Sequence, residues 1–135
     1  MYQDERPVSS RAPEPVGAYP YTKRVGDLLF LSGVGPRTRG SADIPDGIEA
    51  QCRACFENVR VILEEAGAKW ADIIDVTVFL TNMKRDFDTY NPVYAEYFAG
   101  DGMPNPTRTT VEVGALPTAI DVELKVIAHC ATMKK

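Results

Sequence analysis

The chain is poor in the residues that most often build metal and nucleophilic sites. Among its 135 residues there is one histidine, His129, and three cysteines, Cys52, Cys55 and Cys130. Cys52 and Cys55 have the C-x-x-C spacing of a zinc or redox pair. No second such pair exists, however, and His129 could add at most one nitrogen ligand. Both cysteines fall on the apolar side of a helical pattern, so small buried thiols are expected, with no metal and no cofactor. No stretch approaches the about eighteen uninterrupted apolar residues of a membrane span. The opening residues, Met1-Tyr2-Gln3-Asp4-Glu5-Arg6, lack the apolar run of a secretory signal, and a cytoplasmic protein is expected. Clustered basic residues are missing too. With a net charge of −4 and dispersed Lys and Arg, a nucleic-acid backbone is a poor partner.

What is present reads as one globular domain: 44% of residues are hydrophobic, 25% are charged, and the length suffices for one real core but not two. Residues 1–15, carrying Pro7, Pro13 and Pro15, form an expected extended N-terminal arm, and residues 16–135 the domain. Residues 21–25 and 28–31 flank Gly26-Asp27 as a short hairpin, which leaves through Ser32-Gly33-Val34-Gly35, where backbone can approach a ligand closely. Asp46, with Glu49 three residues on, predicts a capping box opening a helix that runs to Gly67, with Ile48, Cys52, Cys55, Phe56, Val59, Ile62 and Leu63 on its apolar face. Residues 73–80 read as a strand with Ile74, Val76, Val78 and Leu80 on one side. A second helix is expected from Asp88 or Thr89, with Pro92 in its first turn and an apolar stripe of Tyr90, Val93, Tyr94, Tyr97 and Phe98.

Residues 106–113 and 122–128 alternate at period two and predict a closing hairpin, placing Arg108 and Glu123 on the same side of neighbouring strands. The fold class is then α+β: a two-layer sandwich of a mixed β-sheet with two helices on one face, in the order β-β-α-β-α-β-β. The other sheet face carries Phe79 and Ile127 beside Asp121, Glu123 and Lys125, and nothing remains in the chain to cover it. A partner subunit is expected there.

Taken alone, an Arg108–Glu123 pair on a sheet is more often a solvated or inter-subunit ion pair than a catalytic one. The surrounding words add to it. Pro106-Thr107-Arg108-Thr109-Thr110-Val111-Glu112-Val113, Leu116-Pro117 and Val122-Glu123-Leu124-Lys125-Val126-Ile127-Ala128 resemble the C-terminal signature of the RidA family, also called YjgF or UK114, of enamine/imine deaminases. Val16-Gly17-Ala18-Tyr19, Leu31-Ser32-Gly33 and Asp88-Thr89-Tyr90-Asn91-Pro92-Val93-Tyr94 extend the resemblance over roughly residues 15 to 130.

The resemblance implies a chorismate-mutase-like fold, a homotrimer with active sites between subunits, and a small-molecule carboxylate substrate. It assigns Arg108 to the substrate carboxylate, Glu123 to placing and partly deprotonating water, and Tyr19 to closing over the ligand. Ser32 and Gly33 would line the pocket, Asn91 would sit near its mouth, and Thr109 and Thr110 would follow the arginine into the binding set. Tyr19, Ser32 and Asn91 each have an ordinary structural alternative: a loop anchor, a strand-end hydrogen bond and a helix first-turn residue. Many relatives carry cysteine where this chain has Thr110, so a nucleophilic thiol is excluded at that position.

Several words look closest to the 2-aminomuconate deaminase branch. Such a dicarboxylate needs a second cation, for which Arg37 and Arg39 are the candidates, with Lys23 and Arg24 behind them; a solvated loop is the alternative for these. The competing functions are a general 2-imino acid deaminase, a non-enzymatic ligand-binding or chaperone-like trimer, and a ribonuclease. The last is disfavoured by the single histidine and the acidic surface.

Overall fold

Apolar residues at period two and period 3.6 become strands and helices largely where the sequence places them. The computed structural model describes residues 9–131. Strands β1 (Thr22–Val25) and β2 (Leu28–Leu31) form the first hairpin, followed by helix α1 (Ile48–Glu65) and a short 3-10 turn at Trp70–Asp72. Strand β3 (Ile73–Leu80), helix α2 (Met83–Phe98), strand β4 (Thr107–Glu112) and strand β5 (Val122–His129) complete the chain. The sheet order is β1-β2-β5-β3-β4, antiparallel throughout except for the parallel β3–β4 pair that α2 connects. This is the expected α+β sandwich with a mixed sheet and two helices.

The predicted hairpin between the last two strands does not form. β3 lies between β4 and β5, so the chain joins two strands that are sequential but not neighbours. Pairing with β3 gives β4 a partner rich in β-branched residues, a long-range choice that local spacing cannot reveal. Within β3 the register shifts between Ile73 and Asp75, so Ile73 enters the core and Ile74, expected inside, is exposed.

Both helices begin differently from expectation. At α1 the N-cap is Gly47, with φ 87°, and no side chain caps it, so the Asp46–Glu49 capping box is absent. Its C-terminus ends as predicted near Gly67, where Ala68 N–H donates to Leu63 O at 2.9 Å and Gly67 N–H to Glu64 O at 3.1 Å, a Schellman closure. Helix α2 starts five residues before Asp88, capped by Asn82, whose side-chain oxygen accepts from Arg85 N–H at 3.0 Å. Pro92 therefore lies inside the helix rather than in its first turn.

The core lies between the helices and one sheet face. Val76, Val78, Leu80, Val122, Leu124, Val126 and Ala128 are fully buried beneath Phe56, Tyr90 and Phe98. Tyr94 and Phe98 stack with centroids 4.2 Å apart, and Phe56 meets Phe98 edge-on at 5.2 Å. Cys52 and Cys55 are buried free thiols in this core; burial pushes the Cys52 thiol up to about 12 and Cys55 well above its ordinary value. Among the described residues no helix is long and apolar enough to cross a membrane.

Candidate functional site

The strand register sorts the candidate residues into two groups. Arg108 pairs with Val76, whose side chain is buried beneath the helices, so Arg108 rises on the helix side of the sheet at its outer strand. There its guanidinium lies 4.7 Å from the centroid of the Tyr94 ring and 5.5 Å from that of Tyr90, and donates to Asn91 Oδ1 at 2.8 Å. Thr110, two residues along the same face, shares a 3.0 Å hydrogen bond with the Tyr90 hydroxyl. Thr109, paired with Thr77, projects from the opposite face.

Glu123 pairs with Phe79, between the buried Val78 and Leu80, so it stands on the helix-free face. Arg108 and Glu123 are thus two strands apart, roughly 10 Å across the sheet, offset by three residues along β3, and point to opposite sides of the sheet. The expectation that they project together is corrected by the insertion of β3. Among the described residues no hydrogen bond or ion pair engages the Glu123 carboxylate, and burial raises its pKa. Lys125, two residues on, has its pKa lowered by burial and donates to Leu31 O.

Gly33 meets Glu123 and also lines a cleft that Glu123 itself does not line. A Cβ built on Gly33 would stand 3.0 Å from Glu123 Cδ and 3.1 Å from its Oε2. The same glycine lines a cleft with Tyr19, Ser32, Arg37, Pro13 and Glu14. Ser32 is held by donating its hydroxyl to Pro20 O at 2.6 Å, and the Tyr19 hydroxyl accepts from Val16 N–H at 3.2 Å while its ring stays 40% exposed. Arg37 donates to Glu14 O at 2.8 Å, and its own loop is fixed by Asn58, which donates to Gly35 O and Arg37 O, each at 2.9 Å.

Arg39 points elsewhere, to Ser9 O, Ala12 O and the Tyr21 hydroxyl. Arg24 is engaged with Cys130 O at 2.6 Å, and Lys23 lies on β1 opposite Phe30. Sequence reasoning missed the cleft's outer side, Pro13, Glu14 and Pro15, and the aromatic seat of Arg108. The latter had a signal in Tyr90 and Tyr94 at one-turn spacing around Asn91. The former had none beyond two prolines bracketing a glutamate. The first eight residues of the expected arm lie outside the described residues.

A mixed five-stranded sheet with two helices and a strand-end cleft defines a chorismate-mutase-like α+β protein. The comparisons narrow this. A family model described as Endoribonuclease L-PSP matches residues 9–130. A RutC family protein of Pyrococcus abyssi is 38% identical over 122 residues, covering 90% of this chain and 93% of its own. TdcF of Escherichia coli, provisionally named a reactive intermediate deaminase, is 37% identical over 120 residues, 89% of this chain and 92% of its own.

Among solved structures, Escherichia coli TdcF with bound serine superposes with a TM-score of 0.87 at 34% identity, covering 95% of this chain and all 100% of that one. RidA from an Antarctic Psychrobacter gives 0.84 at 29% identity, with 93% and 99% coverage. The chain belongs to the Endoribonuclease L-PSP family, known also as RidA, YjgF or UK114.

Proposed function

We propose that the protein is a hydrolytic deaminase of enamines and imines of 2-oxo acids, with each active site completed by two subunits of a homotrimer. The observation that carries this reading is Glu123: a carboxylate with no hydrogen-bond or ion-pair partner among the described residues, its pKa raised by burial, set against a glycine that lines a cleft. Hydrolysis of a 2-imino acid needs a base to place water, a cation for the carboxylate and walls that hold the conjugated plane. Glu123 takes a proton as the water oxygen bonds to C2. That proton passes to nitrogen, giving a carbinolamine; its hydroxyl then gives up the second proton to Glu123 as C2=O forms and the C2–N bond breaks, and this proton leaves with nitrogen as ammonia. The products are the 2-oxo acid and ammonia.

Arg108 supplies the cation through two parallel hydrogen bonds, already oriented by Asn91 and the two tyrosine rings. It faces away from Glu123 of its own chain, so the partner of each is taken from a neighbouring copy. A patch around Arg108 docking on a different patch around Glu123 is a heterologous contact, and such contacts close into rings rather than two-fold dimers. A homotrimer is one such ring, with the exposed strand β4 of one copy at the helix-free face of the next. The bound serine in the Escherichia coli TdcF structure fits the same chemistry, since an α-amino acid presents a carboxylate and a nitrogen on adjacent carbons.

The substrate we favour is 2-aminomuconate or a substituted analogue, converted to the 2-hydroxymuconate/4-oxalocrotonate pair. Arg37 supports this, because it lines the cleft and keeps N–H groups beyond the one given to Glu14 O. Arg39 is dropped as the distal anchor, being spent on the arm. A ribonuclease is not supported: His129 stands at the exposed end of β5, paired with Leu28 and away from the cleft.

The test is ammonia release from a freshly generated 2-imino acid and from 2-aminomuconate. Turnover is expected on both, with higher catalytic efficiency on the dicarboxylate. Binding without turnover would favour a ligand-binding or chaperone-like trimer instead, and preference for short monocarboxylates would favour the general 2-imino acid reading.

A further inference from the structure

Residues 9–15 contain no helix or strand, yet they are held at every second or third position. Ser9 and Ala12 are almost completely buried. Ser9 donates its hydroxyl to Glu65, and Ser10 donates from both its backbone N–H and its hydroxyl to the same carboxylate. These bonds hold the Glu65 pKa down. Arg39 grips the backbone from the other side, donating to Ala12 O at 2.8 Å and Ser9 O at 3.2 Å, and reaches the Tyr21 hydroxyl at 3.3 Å. Beyond these clamps, Pro13, Glu14 and Pro15 form one side of the cleft. The Glu14 carbonyl there accepts from Arg37.

We propose that this docked arm is a specificity element: Arg39 is a positioning residue that holds residues 9–15 as the cleft wall, and the wall's Glu14 carbonyl aims Arg37 at the distal carboxylate of a dicarboxylate ligand. An arginine has several rotatable bonds, so fixing it before binding lowers the ordering cost of each ligand it grips. Three interactions confine Arg37: the Glu14 carbonyl ahead of it and the two Asn58 bonds that set its loop. Only the first depends on the arm. Releasing the arm therefore weakens ligands that use Arg37 and spares those that do not. Two prolines limit the arm's freedom when detached, which favours redocking.

This inference rests on Arg37 acting as the second anchor, and the experiment separates the two. Affinities for cis,cis-muconate and for 2-oxobutanoate are measured by calorimetry on the intact protein, so that neither depends on turnover. Arg37→Ala tests the anchor. Arg39→Ala and Arg39→Lys test the arm, with trypsin cleavage after the exposed Arg11 as an independent readout of docking, since Ala12 on the other side of that bond is fully buried.

We expect Arg39→Ala to speed cleavage after Arg11 at least tenfold, to weaken cis,cis-muconate about fivefold and to leave 2-oxobutanoate within a factor of two. Arg39→Lys, whose ammonium still has three donors, should recover part of both changes. Cleavage unchanged in Arg39→Ala, or equal weakening of both ligands, would overturn the proposal. No effect of Arg37→Ala on cis,cis-muconate would instead remove the anchor itself.

Discussion

Gly33 and Glu123 touch across the end of the sheet, with so little space between them that a single methyl group on Gly33 would lie 3.0 Å from the Glu123 carboxyl carbon. The glycine is required by this approach and not by backbone geometry, because Gly33 is absent from the positive-φ residues. Gly33→Ala should therefore fold with near-normal stability while pushing the carboxylate a few tenths of an ångström or more from its place. We expect catalytic efficiency to fall several-fold to about 10-fold, less than the roughly 100-fold that a 1 Å misplacement of a catalytic group can cost. Thermal melting and steady-state kinetics on the same preparation check it; a fully active Gly33→Ala would show that the carboxylate position is not critical.

A second expectation concerns the two faces of the sheet. Arg108→Ala and Glu123→Gln should each be nearly inactive, yet mixing them by co-refolding should restore activity. When the site takes Arg108 from one copy and Glu123 from the next, random mixing leaves about a quarter of all interfaces with both groups intact, whatever the ring size. Recovery near a quarter of wild-type activity is the expected reading. No recovery would place both groups in the same chain's site.

Much of this arrangement is legible in the sequence, and what is not has identifiable physical causes. Alternation of Val122, Leu124 and Val126 with Glu123 and Lys125 fixes which residues of β5 face the core, because a one-residue slip would expose the whole apolar set. The same rule works within β4 but says nothing of which strand lies beside it. Proximity in sequence favours a hairpin with β5, while the parallel pairing with β3 is decided by packing across the whole sheet. Thus Arg108 and Glu123 are recognisable as a pair, and their placement on opposite faces is not. The contacts of the arm are hidden for another reason: Arg37 and Arg39 grip main-chain carbonyls of residues 9–14, which any side chain could carry.

The raised pKa of Glu123 gives a pH dependence with a definite sign. Burial disfavours the charged carboxylate, so the folded-state value lies above the ordinary 4.5. Stability from this group is then fully present below about 4.5 and is lost as pH rises through the folded value. Glu123→Gln, which never ionises, should match the wild-type melting temperature in acid and exceed it at neutral pH. Catalytic efficiency should run oppositely, falling on acidification as the base is protonated, with its half-point above 4.5. A half-point at or below the ordinary value, or a stability difference independent of pH, would contradict burial outweighing the neighbouring copy's Arg108 at this carboxylate.

The aromatic seat of Arg108 allows ring and hydroxyl to be separated. The Tyr94 hydroxyl is buried without a hydrogen-bond partner among the described residues, and burial pushes its pKa up to about 12. Its ring lies beneath Arg108 and stacks on Phe98. An unpaired buried hydroxyl is destabilising, so Tyr94→Phe should leave stability unchanged or raise it by about 1 kcal/mol, with no change in KM. Tyr94→Leu keeps an apolar filler but removes the π face that holds the guanidinium. A cation–π contact of about 0.5–1 kcal/mol converts to a roughly two- to fivefold rise in KM for a carboxylate substrate, with kcat little affected. Chemical denaturation and steady-state kinetics on the two variants distinguish the roles. A KM rise in Tyr94→Phe would assign the hydroxyl, not the ring, to seating Arg108.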